Sequence, residues 1–152
     1  VTIHLIRHAS AGRRSFSGDD LGRPLDDYGR EQAELIGTTL AGTGVDIVLS
    51  SRATRCMQTV GPLAAACGLE VEPHGALLEG GSTSRALELI RSLEGQTAVL
   101  CSHGDIIPET IRALEVGGTV IDADRSFAKG TAWTLTFANG RIDTAACTRF
   151  EP

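Results

Sequence analysis

Thr2-Ile3-His4-Leu5-Ile6-Arg7-His8 opens the chain with an apolar, β-branched run that ends in a guanidinium and an imidazole. Such a run reads as a fully buried strand, and its polar end marks the exit from the sheet. Two later runs end in the same manner. Asp46-Ile47-Val48-Leu49 leads into Ser50-Ser51, and Thr97-Ala98-Val99-Leu100-Cys101 leads into Ser102-His103-Gly104-Asp105. A weaker strand is expected over residues 69–72.

Helical patterns fill the intervals. A helix is predicted from Asp27, with Ala33, Ile36 and Leu40 on one face and Gly42 and Gly44 past its end. A second covers 52–67, capped by Ser50-Ser51 and kinked at Pro62. Residues 84–93 put Ala86, Leu87, Ile90 and Leu93 inward, and 106–115 run helical up to Gly117-Gly118. Last, 132–137 and 141–146 flank Asn139-Gly140, a type I′ hairpin signal. Strands alternating with helices predict an α/β fold, a three-layer α/β/α sandwich whose mostly parallel sheet is closed by a C-terminal antiparallel hairpin. The 152 residues show no repeat and no linker, so a single domain over 1–152 is expected.

Composition narrows the function. Nineteen acidic against fourteen basic residues give a net charge of −5, the wrong balance for gripping nucleic acid. Four cysteines stand far apart with no Cys-x-x-Cys, which excludes a zinc ribbon, a thioredoxin motif or a secreted disulfide framework. Cys101 reads as a buried thiol. No signal peptide or apolar stretch of ~18 residues is present, so a soluble, cytoplasmic protein without membrane contact is expected. Val1 stands where an initiator Met is usual, as in a chain trimmed or cut from something longer.

In open α/β sheets the ligand lies beyond the carboxyl ends of the strands. Convergence of the three polar ends would place Arg7, His8, Arg55 and His103 around one small volume beside a helix start. That is an anion site, since arginine forks match phosphate oxygens and a helix start offers free N–H groups. Neighbouring positive charge would keep His8 neutral at pH 7, able to attack phosphorus and form a phosphohistidine while the arginines stabilise the transferring group. His4 falls on a strand face by alternation, His74 sits in a loop without a visible partner, and Arg52 reads as a solvated charge.

Leu5-Ile6-Arg7-His8-Ala9 resembles the Arg-His-Gly motif of the histidine phosphatase superfamily, with Ala9 where Gly is usual. Ser50-Ser51-Arg52-Ala53-Thr54-Arg55-Cys56-Met57-Gln58-Thr59 is similar to that family's Ser-Pro-x-x-Arg-Ala-x-Gln-Thr segment, and Val99-Leu100-Cys101-Ser102-His103-Gly104 to its second-histidine motif. Within the superfamily, Gly22-Arg23-Pro24-Leu25-Asp26 and the short length resemble the small SixA-type phosphohistidine phosphatases. With Lys129-Gly130-Thr131-Ala132-Trp133 they also look like the phosphatase module that follows a Nudix domain in some actinobacterial proteins.

The resemblance implies the phosphoglycerate-mutase-like fold and a metal-independent phosphatase without a cofactor. His8 would be the nucleophile, and Arg7, Arg55, His103 and Gly104 would bind phosphate. Glu79 lies where many members carry the proton donor; Asp105 is its rival, and a phosphoramidate needs little acid assistance. Arg14 stands where relatives contact phosphate through Asn, as a basic rim for anionic substrates or as a solvated loop charge. The expected substrate is a phosphorylated protein, a small phosphorylated metabolite or a nucleotide, with fusion to or association with a Nudix domain as a further expectation.

Other chemistries fail on spacing. A cysteine-dependent phosphatase needs Arg six positions after its Cys, where Cys56 has Pro62 and Cys101 has Ile107. Asp122-Ala123-Asp124 mimics an Asp-x-Asp phosphatase motif but leaves too little chain for its downstream partners. Walker A and Rossmann glycine patterns and clustered zinc ligands are absent. The alternative function is a non-catalytic phosphohistidine or phosphoprotein reader, against which the retention of His8 argues.

Overall fold

The computed structural model describes residues 1–13, 18–122 and 124–152. Among them, the strands β1 (Thr2–Arg7), β2 (Ile47–Ser50), β3 (Val71–Pro73), β4 (Ala98–Ser102), β5 (Val120–Ile121), β6 (Thr131–Ala138) and β7 (Arg141–Arg149) form one sheet of order β3-β2-β4-β1-β6-β7-β5. β1, β4, β2 and β3 run parallel, β6 lies antiparallel to β1, and β6 and β7 form the antiparallel hairpin. Asn139 and Gly140 both take positive φ, 53° and 76°, as a type I′ turn requires.

Side-chain alternation sorts the core into two halves. Ile3 and Leu5 of β1 and Ala98 and Leu100 of β4 face one cluster, which includes Ile90 and Leu93 from and after α3 (Thr83–Ser92) and Ile107, Ile111 and Leu114 of α4 (Ile106–Val116). Ile6, Val99 and Cys101 face the other, with Ile36 and Leu40 of α1 (Asp27–Leu40) and Val60 and Leu63 of α2 (Thr54–Ala66). These are the three layers expected of strands that are apolar on both faces.

Three local expectations are corrected and one strand is added. Ser50 and Ser51 do not cap α2; its N-cap is Ala53, without a side-chain bond, and the serines are buried in the site instead. On α3, Leu89 is buried while Leu87 is only partly so, because the helix turns that face toward the sheet. His74 does have a partner, since its Nδ1 accepts from the Ala76 amide at 3.1 Å and caps a 3-10 turn over Gly75–Leu77. Val120–Ile121 forms β5, paired only to β7 at the sheet edge, so the neighbouring Asp122 and Asp124 lie three strands from β1.

The register brings the polar ends together. The His8 amide donates to the Ser102 carbonyl at 3.0 Å and the Ser51 amide to the Cys101 carbonyl at 2.9 Å, so β1, β4 and β2 release their chains side by side. Because β6 is antiparallel to β1, the residues entering β6 meet those leaving β1: the Gly130 amide donates to the carbonyls of Arg7 and His8 at 3.2 and 3.1 Å.

Candidate active site

His8 leaves β1 buried, 5% exposed, and its Nδ1 lies 2.8 Å from the Ala9 carbonyl oxygen. A carbonyl only accepts, so Nδ1 carries the proton and Nε2 keeps its lone pair. Burial is the main force holding His8 neutral, with its pKa pushed down to about 3; the Ala9 bond opposes this, and Arg55, His103 and Arg7 add repulsion. Neighbouring charge, the cause expected from the sequence, ranks below burial. Thr59 fixes the turn by accepting from the Ala9 amide at 2.9 Å.

His103 leaves β4 almost fully buried, its ring centroid 5.5 Å from that of His8 with the planes at 65°. Its Nε2 lies 2.8 Å from Ser51 Oγ and 3.5 Å from Cys56 Sγ; its Nδ1 lies 3.4 Å from Arg55 Nη2 and 3.9 Å from Glu79 Oε2. The second histidine is thus held from behind by Ser51 and Cys56 and presents its other nitrogen to the arginine. Cys56 also hydrogen-bonds Cys101; these bonds pull the Cys56 thiol below its ordinary range despite burial, while burial raises Cys101.

Arg55 projects from the first turn of α2 and is 1% exposed. Its Nη1 donates to the Asp20 carbonyl at 2.8 Å, and its Nη2 meets Glu79 Oε2 at 2.9 Å and Asp20 Oδ2 at 3.3 Å. Arg7 donates from Nη1 to the Phe127 carbonyl at 2.7 Å. In both arginines Nε is buried and has no hydrogen-bond partner among the described residues. Two guanidinium groups at one strand edge form a set of donors suited to an oxyanion.

The sequence-predicted set therefore converges: Arg7, His8, Arg55, His103 and Gly104 together, with Glu79 reaching in at 41% exposure. Asp105 is held otherwise, its Oδ2 accepting from the Gly80 amide at 2.8 Å beside Glu79. Arg14 lies outside the described residues. His4 bonds Thr134 Oγ1 at 3.0 Å within the sheet, and Arg52 is exposed. Among the described residues no group of three or more His, Cys, Asp or Glu side chains is placed to hold a metal ion. Reasoning from sequence missed Asp20, Ser51 and Cys56; the Gly18-Asp19-Asp20 run was the one available signal for the first, and the other two act through the fold alone.

Two arginines and two histidines thus converge at one end of the sheet, and residues 3–84 match the model of the histidine phosphatase superfamily, branch 1. The chain belongs to that family. Its architecture is that of the SixA-type phosphohistidine phosphatases: it is 30% identical to the structure described as SixA from Nakamurella multipartitia, with a TM-score of 0.66 over 88% of this chain and 83% of that one. A SixA structure from Agrobacterium tumefaciens shares the fold at 23% identity, TM-score 0.72, over 88% and 90% of the two chains. The 8-oxo-(d)GTP phosphatase of Mycolicibacterium smegmatis is 31% identical over 147 residues, 93% of this chain and 46% of that protein. The chain thus spans about half the length of that curated relative. No helix among the described residues is long and apolar enough to cross a membrane.

Proposed function

We propose that residues 1–152 act as one histidine phosphatase domain that hydrolyses a phosphoryl group, from phosphohistidine or a phosphoester, in two steps and without a metal. His8 Nε2 attacks phosphorus in line, the bond to the leaving group breaks, and phospho-His8 forms. Water then attacks the same phosphorus, the N–P bond breaks and inorganic phosphate leaves. Arg7, Arg55 and His103 hold the equatorial oxygens beside Gly104. Glu79 delivers the proton to the leaving group and takes one from the incoming water.

The observation that carries this reading is the Nδ1 contact of His8 with the Ala9 carbonyl, which leaves Nε2 as an unprotonated nucleophile. Substrates are proposed among phosphorylated proteins and small phosphorylated metabolites or nucleotides. The SixA-type relatives speak for the first and the 8-oxo-(d)GTP phosphatase for the second. Association with a Nudix domain rests on the motif resemblance alone. A cytoplasmic location is proposed from four free thiols, two of them fully buried.

The test is turnover of p-nitrophenyl phosphate in the presence of a chelator, with wild type beside His8→Ala. Turnover by wild type alone supports the mechanism. Turnover by both would remove His8 from it, and binding of phosphate without turnover by either would favour the reader.

A further inference from the structure

Lys129 is the chain's only lysine, and the fold delivers it to the active site. It immediately precedes Gly130, whose amide is shared between the carbonyls of Arg7 and His8. Two residues before it, the Phe127 carbonyl accepts from Arg7 Nη1; its own carbonyl accepts from Gln32 Nε2 at 3.2 Å. Gly130 takes φ 77°, and a Cβ there would collide with the Gln32 amide, so this approach to β6 is pinned on both sides. The residue itself is exposed at this approach.

Its charged surroundings are lopsided. Three cations, Arg7, Arg23 and Arg55, act on Lys129 against one carboxylate, Asp26. Burial and these like charges lower the lysine pKa. Asp26 is already engaged, accepting from the Gly29 amide at 2.8 Å and from Ser10 Oγ at 2.7 Å. Arg23 is tied by Nε to Asp20 at 3.1 Å and by Nη1 to the Gly12 carbonyl at 2.7 Å. Among the described residues Lys129 makes no ion pair. An ammonium that meets more positive than negative charge is favoured by the arrival of an anion.

We infer that Lys129 forms a second anion subsite beside the phosphoryl pocket and selects phosphoanhydrides, substrates whose second phosphate adjoins the one transferred. This rests on the phosphatase reading above and names its substrate class. Through Gly130 and Phe127 the Lys129 backbone adjoins Arg7 and His8, so an anion taken by its ammonium lies beside the first phosphate, one bridging oxygen away. The neutral imidazole released from phosphohistidine has nothing to place there. In the reaction the His8 Nε2–P bond forms as the P–O bridge breaks, the second phosphate departs with the bridging oxygen, and water then cleaves N–P to give a second phosphate.

The experiment compares inorganic pyrophosphate with p-nitrophenyl phosphate on wild type, Lys129→Met and Lys129→Arg, alongside calorimetric binding of pyrophosphate and phosphate. Loss of one charged hydrogen bond predicts that Lys129→Met lowers the pyrophosphate-to-aryl-phosphate ratio of kcat/KM by about ten- to a hundredfold, and that Lys129→Arg restores most of it. Wild type that turns over the aryl phosphate but neither binds nor cleaves pyrophosphate would overturn the subsite and leave the phosphatase standing. An unchanged ratio in Lys129→Met would overturn it too. If neither compound is turned over, the phosphatase reading falls, and the calorimetric preference for pyrophosphate, lost in Lys129→Met, still decides the subsite.

Discussion

The Arg7 guanidinium occupies the space that a side chain at residue 104 would fill: a Cβ built on Gly104 lies 2.6 Å from Arg7 Cζ and 2.8 Å from its Nε and Nη2. The glycine after His103 thus admits an arginine from the neighbouring strand. Gly104→Ala must push Arg7 away from the pocket, at an overpacking cost of about 1–3 kcal/mol. We expect the variant to fold with a lowered Tm and to lose at least tenfold in kcat/KM on p-nitrophenyl phosphate. Full activity would show that Arg7 does not hold the phosphoryl group from this position.

Burial of neutral His8 sets a pH signature. Its folded pKa of about 3 lies below the unfolded value near 6.5. Between these values the unfolded chain binds a proton that the native chain refuses, so the native state loses stability as pH falls from about 6.5 toward 3, by at most ~1.4 kcal/mol per pH unit for this one group. Above 6.5 His8 contributes no pH dependence. The check is the His8 ring resonance by NMR, which should not titrate between pH 8 and 5. A midpoint near 6.5 would contradict the buried tautomer.

Much of this was legible in the chain. Strands apolar on both faces fixed the layers, and three polar strand ends located the site, because a parallel sheet puts those ends on one edge. What escaped notice depends on contacts between distant segments. Ser51 looked like a cap because serine before a helix usually is one; in the fold it bonds His103. Asp20 reaches Arg55 only because the segment before α1 folds over α2. The two residues of β5 are too few to show periodicity and form a strand only by pairing to β7. The position of Lys129 follows from no local rule, since it depends on β6 running antiparallel to β1.

Glu79 bears on Arg55 at 2.9 Å, and the same oxygen approaches His103 Nδ1 at 3.9 Å, which suits a carboxylate that exchanges protons at the pocket. If it protonates the leaving group, its removal must hurt poor leaving groups more than good ones. We expect Glu79→Gln to cut kcat/KM, which reads the phosphoryl-transfer step alone, by about 10²–10⁴-fold on an alkyl phosphate while p-nitrophenyl phosphate loses far less. Equal losses on both would reduce Glu79 to a partner of Arg55. Arg55→Ala should cost both, by about 3–4 kcal/mol of transition-state stabilisation, and should weaken tungstate binding in parallel.

Ser51 tests whether the back of His103 matters to its front. With Nε2 2.8 Å from the Ser51 hydroxyl, the ring is held so that Nδ1 faces Arg55 and Glu79. Ser51→Ala removes the nearest partner and leaves Cys56 Sγ at 3.5 Å, a weak substitute. A buried nitrogen losing its hydrogen bond costs about 1–3 kcal/mol, and the ring gains freedom to turn. The expected result is a fall in kcat of about tenfold or more, a change in the His103 ring-nitrogen shifts, and recovery in Ser51→Thr, which keeps the hydroxyl. If Tm drops but kcat and the ring shifts stay at their wild-type values, Ser51 serves packing alone and His103 is oriented by Arg55 and Glu79.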